Sequence, residues 1–424
     1  MRLVALWGAT ALWSSDPAQE ARRLDERDPP AIAAAAPPAL AIEACPRVVP
    51  SRPAGKSVRV ALAEAKQTLE VELRGVWGAP DGQKLAGRLD ARLVAGVLAV
   101  SSGAWSQSAS SVVLSPLQGS FCLGAKCYRG SLELQKLGSG IALINRLDIE
   151  EYLLGVVPGE IGRKLDWHFL EAAKAQAIVA RTYTLRSLGQ YGGKPWDVRD
   201  DVRDQVYDGM KGEDSMCSRA VRATRGQILV DGSGKAIDAY YHSTSGGHTA
   251  DIGEVWPQKA PQAYLRGVVD TAPDGRSWGG AAPVSEWAER WPLKTLHDSV
   301  RRDLTEALGR KVDPGKVQSL RLEGRDSSGR AKKLVVTAEN GTYEICGDRI
   351  RWALRRTAKG RPILRSTRFE LEIVNGEYLA EGTGYGHGVG MSQNGAMGRA
   401  FVGQQAEQIL TAYYPGTVLR TLEP

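Results

Sequence analysis

Residues 146–188 read RLDIEEYLLGVVPGEIGRKLDWHFLEAAKAQAIVARTYTLRSL, and the second half of this stretch sets the hardest condition on the fold. Projected at about 100° per residue, a helix starting after Asp166 and ending near Leu188 carries Trp167, Leu170, Ile178, Leu185 and Leu188 on one side, with Lys174 and Arg181 among them. Ala172, Gln176, Val179, Ala180 and Tyr183 fall on the other side. A helix that is apolar almost all round has to be buried. The rest of the chain must therefore enclose it, and each polar group it takes inside needs a partner. Arg181 and Gln176 read either as ties to neighbouring loops or as the lining of a polar site.

The first half of the stretch predicts a preceding helix. Asp148 is its cap candidate, with Glu151 at capping-box spacing, and Pro158-Gly159 is its expected stop. Glu160 then sits at the break between two helices. Its apolar neighbours Val156, Val157, Ile161 and Leu165 would raise its pKa, and a nearby Arg181 or helix N-terminus would lower it.

A chain of 424 residues holds one large domain or two ordinary ones. Its 48 glycines argue for many tight turns and a loop-rich architecture. The net charge of +7 comes without a polybasic run, so nucleic acid is not expected as a partner. Tryptophan (11) and tyrosine (13) outnumber phenylalanine (4); such rings suit sugar faces and ordinary cores alike. Residues 1–15 form a signal-peptide candidate, too short to span a bilayer, and residues 16–55 an Ala/Pro-rich linker. The protein is accordingly expected to be exported to the periplasm or cell envelope, with no transmembrane helix. Of five cysteines, Cys122 and Cys127 are close enough for a local bridge, and Cys45, Cys217 and Cys346 read as buried thiols.

From residue 58 to 147, short β-branched runs alternate with glycine turns, predicting an antiparallel β region that feeds the helices. QILVDGSGKAIDAYYHSTSGG predicts a hairpin around Gly232–Gly234 that delivers HSTSGGHTAD. SEWAERW and SVRRDLTEALGRK read as helices followed by three strands, so that residues 283–345 are a candidate helical/β lobe within a domain spanning 56–424. A last strand pair leads to a glycine loop around His387 and closing helices. The expected fold class is α+β: irregular antiparallel β regions around a buried central helix, with a cleft lined by glycine loops.

YRGSLEL, LINRLDIEEYLLGVVPGEI, EAAKAQAIVARTYTL, DQVYDG, YYHSTSGGHTAD, LRSTRF, GYGHGVGMSQNGAMG and ILTAYYPGTVL occur in that order. In this the chain resembles the SpoIID/LytB family of bacterial cell-wall proteins over residues 58–419. The resemblance implies action on peptidoglycan. Sporulation members are lytic transglycosylases that cut peptide-stripped glycan strands alongside an amidase; other members are described as amidase enhancers. It also implies that Glu160 is the catalytic acid, against the alternative that it caps the second helix or pairs with Arg163 or Arg181. Some sporulation members bind zinc near the segment matching QVY, but Asp204 precedes Gln205 here and no cysteine is close. Neither a metal nor another cofactor is expected.

A lytic transglycosylase needs one carboxyl group that donates a proton and then recovers one. The residues expected around it are Gln176, Arg181, Gln205, Tyr207, Tyr241, His242, Ser243, Ser245, His387, Ser392 and Gln393. Glycines flank His387, which suits either a ligand or close backbone packing. Expected partners are peptidoglycan glycan strands and a cell-wall amidase. The alternative function is a non-catalytic glycan binder that stimulates such an amidase.

Overall fold

The computed structural model describes residues 56–422. The signal-peptide candidate, the linker and Cys45 lie outside these residues. The architecture is mixed α+β, with more strand than helix.

Nine strands run from residue 57 to 148: β1 (Ser57–Lys66), β2 (Thr68–Gly78), β3 (Lys84–Val94), β4 (Val97–Ser102), β5 (Trp105–Ala109), β6 (Ser111–Leu123), β7 (Lys126–Tyr128), β8 (Ser131–Leu137) and β9 (Gly140–Asp148). They build one sheet in the order β1-β9-β8-β6-β2-β3-β4-β5, with β7 beside β6. β10 (Val198–Arg199) adds to the β1 edge in parallel. The neighbours β6 and β7 are bridged by Cys122–Cys127. In β2, Leu69, Val71 and Leu73 are buried between exposed neighbours, the alternation of a sheet with one wet face. β9 is buried continuously from Gly140 to Asn145, as a strand covered on both sides must be.

β9 runs straight into helix α1 (Ile149–Ile161), where the Asp148 carboxylate accepts from Glu150 N at 2.8 Å. This helix does not stop at Pro158-Gly159. Pro158 lacks an N–H, yet its carbonyl still accepts from Gly162 N at 3.2 Å, and Gly162, at φ +109°, ends the helix. Glu160 therefore lies in the last turn of α1 rather than at a break. A 3₁₀ turn, Trp167–Phe169, capped by Asp166, leads into α2 (Leu170–Arg186), whose buried residues include Gln176 and Arg181.

α3 (Ser215–Ala223) precedes β11 (Gln227–Val230). The expected hairpin turns at Asp231–Lys235 and pairs briefly, through an antiparallel bridge between Val230 and Ala236 and Ile237 N donating to Leu229 O at 3.2 Å, while the main partner of β11 is the distant C-terminal strand β20 (Val418–Thr421). The chain instead turns away to make β12 (Tyr241–His242), followed by the one-turn helix α4 (Ile252–Val255).

A second hydrophobic core runs from Trp287 to Ala380 and so reaches well past residue 345. Its elements are β13 (Glu286–Pro292), α5 (Leu293–Leu308), β14 (Val317–Arg325), β15 (Ala331–Ala338), β16 (Gly341–Cys346), α6 (Ile350–Ala353), β17 (Phe369–Val374) and β18 (Glu377–Thr383). SEWAERW is strand, not helix. Trp287, Glu289 and Trp291 alternate inward, a period of two that short-range helix propensity hides. Glu289 is held inside by Arg356 and Arg365. Cys217 is buried as expected, but Cys346 is exposed at the end of β16.

After β18 the chain returns to the first core as β19 (Met391–Ser392), α7 (Gln393–Phe401) and α8 (Ala406–Tyr413). β19 pairs in parallel with β12, joining Tyr241 to Met391 and His242 to Ser392. Among the described residues no helix is long and apolar enough to cross a membrane.

Candidate active site

The pairing of β12 with β19 brings Tyr241 and Gln393 to the end of α1. There Glu160 Oε1 accepts from Val206 N at 2.8 Å, and Oε2 accepts from Gln393 Nε2 at 3.3 Å. The Tyr241 hydroxyl is a third donor to the same carboxylate. Two glycines one helical turn apart make the Val206 contact possible. A methyl group on Gly155 would stand 2.8 Å from the Tyr207 ring, and one on Gly159 would stand 3.1 Å from both Val206 Cγ1 and the Val206 carbonyl oxygen. The loop 205–209 can therefore lie directly on α1 only where side chains are absent.

Behind Tyr241 the donors continue inward. Gln205 is fully buried; its Nε2 donates to the Tyr241 hydroxyl at 3.1 Å, and its Oε1 accepts from Thr184 Oγ1 at 2.8 Å. This chain ties the floor of the site to α2 and fixes which way the amide of Gln205 faces.

Burial pushes the Glu160 carboxyl up to about 7, against the three hydrogen bonds, which favour the charged form. Half-buried, the side chain keeps some access from outside. Burial also pushes the Tyr241 hydroxyl well up, and the Glu160 charge adds to this. Tyr241 is thus a donor at neutral pH. Beyond it, His387 Nδ1 accepts from Val389 N at 3.0 Å, while the ring also bonds the Tyr241 backbone. Its pKa is pushed down to about 4, chiefly by burial. His242 is likewise held neutral by burial; its Nδ1 bonds the Val389 carbonyl at 3.2 Å, and Nε2 is buried without a partner.

The structure thus gathers Glu160, Gln205, Tyr241 and Gln393 into one hydrogen-bonded cluster, with His242 and His387 alongside. Other candidates are engaged elsewhere. Arg181 forms a two-pronged ion pair with Glu150, at 2.7 and 2.8 Å, and donates to Gln227 O. Tyr207 packs against Tyr152 and donates to Asn145 Oδ1 at 3.0 Å. Ser245 donates to buried Asp270 at 2.7 Å, and Ser392 caps α7 through Gly395 N. Ser243 holds Asn394 through its carbonyl. Gln176 is buried, with both amide atoms unpartnered. Val206 N, Gly155 and Thr184 carry no expectation from the sequence, and Gly159 carries only that of a helix stop. The i, i+4 glycines beside Glu160 were the signal available for two of them. Among the described residues no group of three or more His, Cys, Asp or Glu side chains is placed to hold a metal ion.

A mixed α+β scaffold with a raised carboxyl group held by a backbone amide, a tyrosine and a glutamine defines a protein with a carboxylate-centred candidate site. Residues 138–230, which contain Glu160, Thr184 and Gln205, match the stage II sporulation protein family SpoIID, and residues 283–390 match a domain of unknown function. The chain is 30% identical over 304 residues to an uncharacterized protein of Brachyspira hyodysenteriae, covering 70% of this chain and 74% of that one. It is 31% identical over 294 residues to the amidase enhancer of Bacillus subtilis, covering 63% of this chain and 40% of that protein. It is 29% identical over 290 residues to stage II sporulation protein D of Bacillus amyloliquefaciens, covering 64% of this chain and 74% of that protein. The chain belongs to the SpoIID family.

Proposed function

We propose that this protein cleaves peptidoglycan glycan strands as a lytic transglycosylase, acting on peptide-stripped strands during cell-wall remodelling outside the cytoplasm. Glu160 starts protonated, as a carboxyl group raised to about 7 can be at neutral pH. It gives its proton to the glycosidic oxygen as the bond to the sugar carbon breaks. The carboxylate so formed is received by Val206 N, Tyr241 and Gln393. It then takes the proton of the same sugar's primary hydroxyl as that oxygen closes an anhydro ring, and the acid form is restored.

The observation that carries this reading is that the groups meeting Glu160 are Val206 N, Tyr241 and Gln393, with no second carboxylate among them. Asp200, raised to about 6 by burial, stands with Lys126, Asp201 and Asp208 instead; Asp201 pairs with Arg203, Asp204 accepts from Tyr191 and Arg199 N, Asp251 caps Gly253 N, and Glu254 pairs with Lys332. Ordinary glycosidases need two carboxyl groups across the scissile bond. The test is Glu160→Gln on peptide-free strands, with the ends analysed by mass spectrometry. Cleavage is expected to fall by ~10²–10⁴-fold with fold and glycan binding kept, and wild-type ends are expected to be anhydro sugars. Wild-type rates in Glu160→Gln, or ends carrying added water, would refute the assignment.

A second reading, stimulation of an N-acetylmuramoyl-L-alanine amidase by a non-catalytic glycan binder, is favoured by the likeness to an amidase enhancer. Purified protein alone on peptide-free strands, set beside an amidase with and without the protein on intact sacculi, separates the two.

A further inference from the structure

The segment joining α1 to α2 presents aromatic rings outside the cluster around Glu160. Trp167 is 59% exposed, Phe401 52% and Val402 58%, large fractions for apolar side chains. Trp167 is nonetheless held in place. It stacks on His168 with ring centroids 3.8 Å apart, and the His168 ring is bound by Asp166, whose carboxylate also accepts from His168 N at 3.1 Å. Phe401 completes the patch, 5.6 Å from His168 and 6.2 Å from Phe169, ring to ring. With one face on His168, the indole turns its other face outward.

Two short connections join this patch to the acid. Six residues separate Glu160 from Trp167 along the chain. Gln393, which donates to Glu160, and Phe401 lie at opposite ends of α7 in one i, i+4, i+8 row, a rise of about 12 Å. Exposed Lys164 lies between Glu160 and Trp167 in the sequence. A rise of about 12 Å is longer than one sugar ring, so Phe401 suits a later sugar of the same strand.

We propose that Trp167, backed by His168 and flanked by Phe401, is a remote glycan subsite that stacks on a pyranose face several rings from the scissile bond. This rests on the glycan-cleaving reading of Glu160. Three features favour sugar over another occupant. The Trp ring is fixed before binding, so stacking costs little ordering. A pyranose face of C–H groups matches an open aromatic face. Lys164 supplies a cation for the lactyl carboxylate that peptide removal leaves on alternate sugars.

The test measures binding of strands of graded length by calorimetry, with Glu160→Gln as parent so that no strand is cut, and with Trp167→Ala and Trp167→Phe added to it. Trp167→Ala is expected to weaken long peptide-free strands by roughly five- to tenfold. It should leave the shortest binding oligosaccharide unchanged, and Trp167→Phe should recover part of the loss. Unchanged melting and circular dichroism are expected, since the side chain is mostly in solvent. Equal affinity of parent and Trp167→Ala for long strands overturns the subsite while leaving the Glu160 reading standing. That holds even if the variant stimulates an amidase less well, which would assign the patch to a protein partner. A parent that binds no glycan of any length overturns the functional reading and the subsite with it.

Discussion

The Glu160 carboxyl is raised to about 7 by burial, and hydrogen bonds from Val206 N, Tyr241 and Gln393 limit the rise. The protonated form is the donor in the first step, so cleavage should fall as pH climbs through about 7. His387, pushed down to about 4, and His242, also lowered, stay neutral over this range and should add no limb between pH 5 and 8. Tyr241→Phe removes one bond that favours the carboxylate. The pKa should then rise further, and the loss of activity should move to higher pH by up to about one unit. Rate profiles of the two proteins on peptide-free strands decide this. Coincident profiles would mean that the Tyr241 hydroxyl does not govern the proton on Glu160.

Among the elements, α1 decides whether Glu160 meets Val206 at all. Gly159→Ala puts a methyl group 3.1 Å from two atoms of Val206. Helix propensity favours Ala by about 1 kcal/mol and overpacking opposes it by about 1–3 kcal/mol, so the net loss of stability should lie between about 0 and 2 kcal/mol. The loop, however, must lift. Val206 N then leaves the carboxylate, and cleavage is expected to drop at least tenfold while the melting temperature falls by no more than a few degrees; a variant with wild-type activity would show that the amide is dispensable. Gly155→Ala, closer to Tyr207 and Gly209 O at 2.8 and 2.9 Å, should cost more stability. The same helix shows what sequence reasoning could reach. Asp148 was legible as a cap because capping needs only local chemistry. Pro158-Gly159 looked like a stop because the contact that uses Gly159 comes from a loop 46 residues away. Likewise Arg181 could be foreseen as a buried cation needing a partner, but the choice of Glu150 over Glu160 depends on how α1 and α2 cross. Glu160, Gln205, Tyr241 and Gln393 were each named from motifs. Their joining through one amide and one hydroxyl is a property of β12 meeting β19, which no local pattern encodes.

Over the whole molecule, the second core is an insertion between two parts of the site. The chain leaves after the HSTSGGH loop, builds residues 286–383 and returns as the glycine loop carrying His387. Its two ends are clasped where Gly384 N donates to Ser285 O at 2.8 Å and Trp287 Nε1 donates to Gly384 O at 2.9 Å. Arg330, between β14 and β15, then reaches back. Its guanidinium is buried and donates to His248 O and Ser245 O, both at 2.9 Å, and to Ser328 Oγ at 2.7 Å. It also presses on Gly388, where an added methyl group would meet it at 2.5 Å. One side chain of the insertion thus braces both glycine loops, and through β12 and β19 it bears on Tyr241 and Gln393. Arg330→Met keeps most of the bulk but leaves the buried Ser245 carbonyl without its donor, at about 1–3 kcal/mol, and frees the half-buried His248 carbonyl as well. Hydrogen exchange should therefore accelerate in residues 243–249 and 384–390, with little change in the large sheet. Cleavage should fall in parallel, while Arg330→Lys, which can still serve one carbonyl, should lie between. If exchange in both loops matches the wild type in Arg330→Met, the insertion does not hold the site through this residue, whether or not the protein cuts glycan.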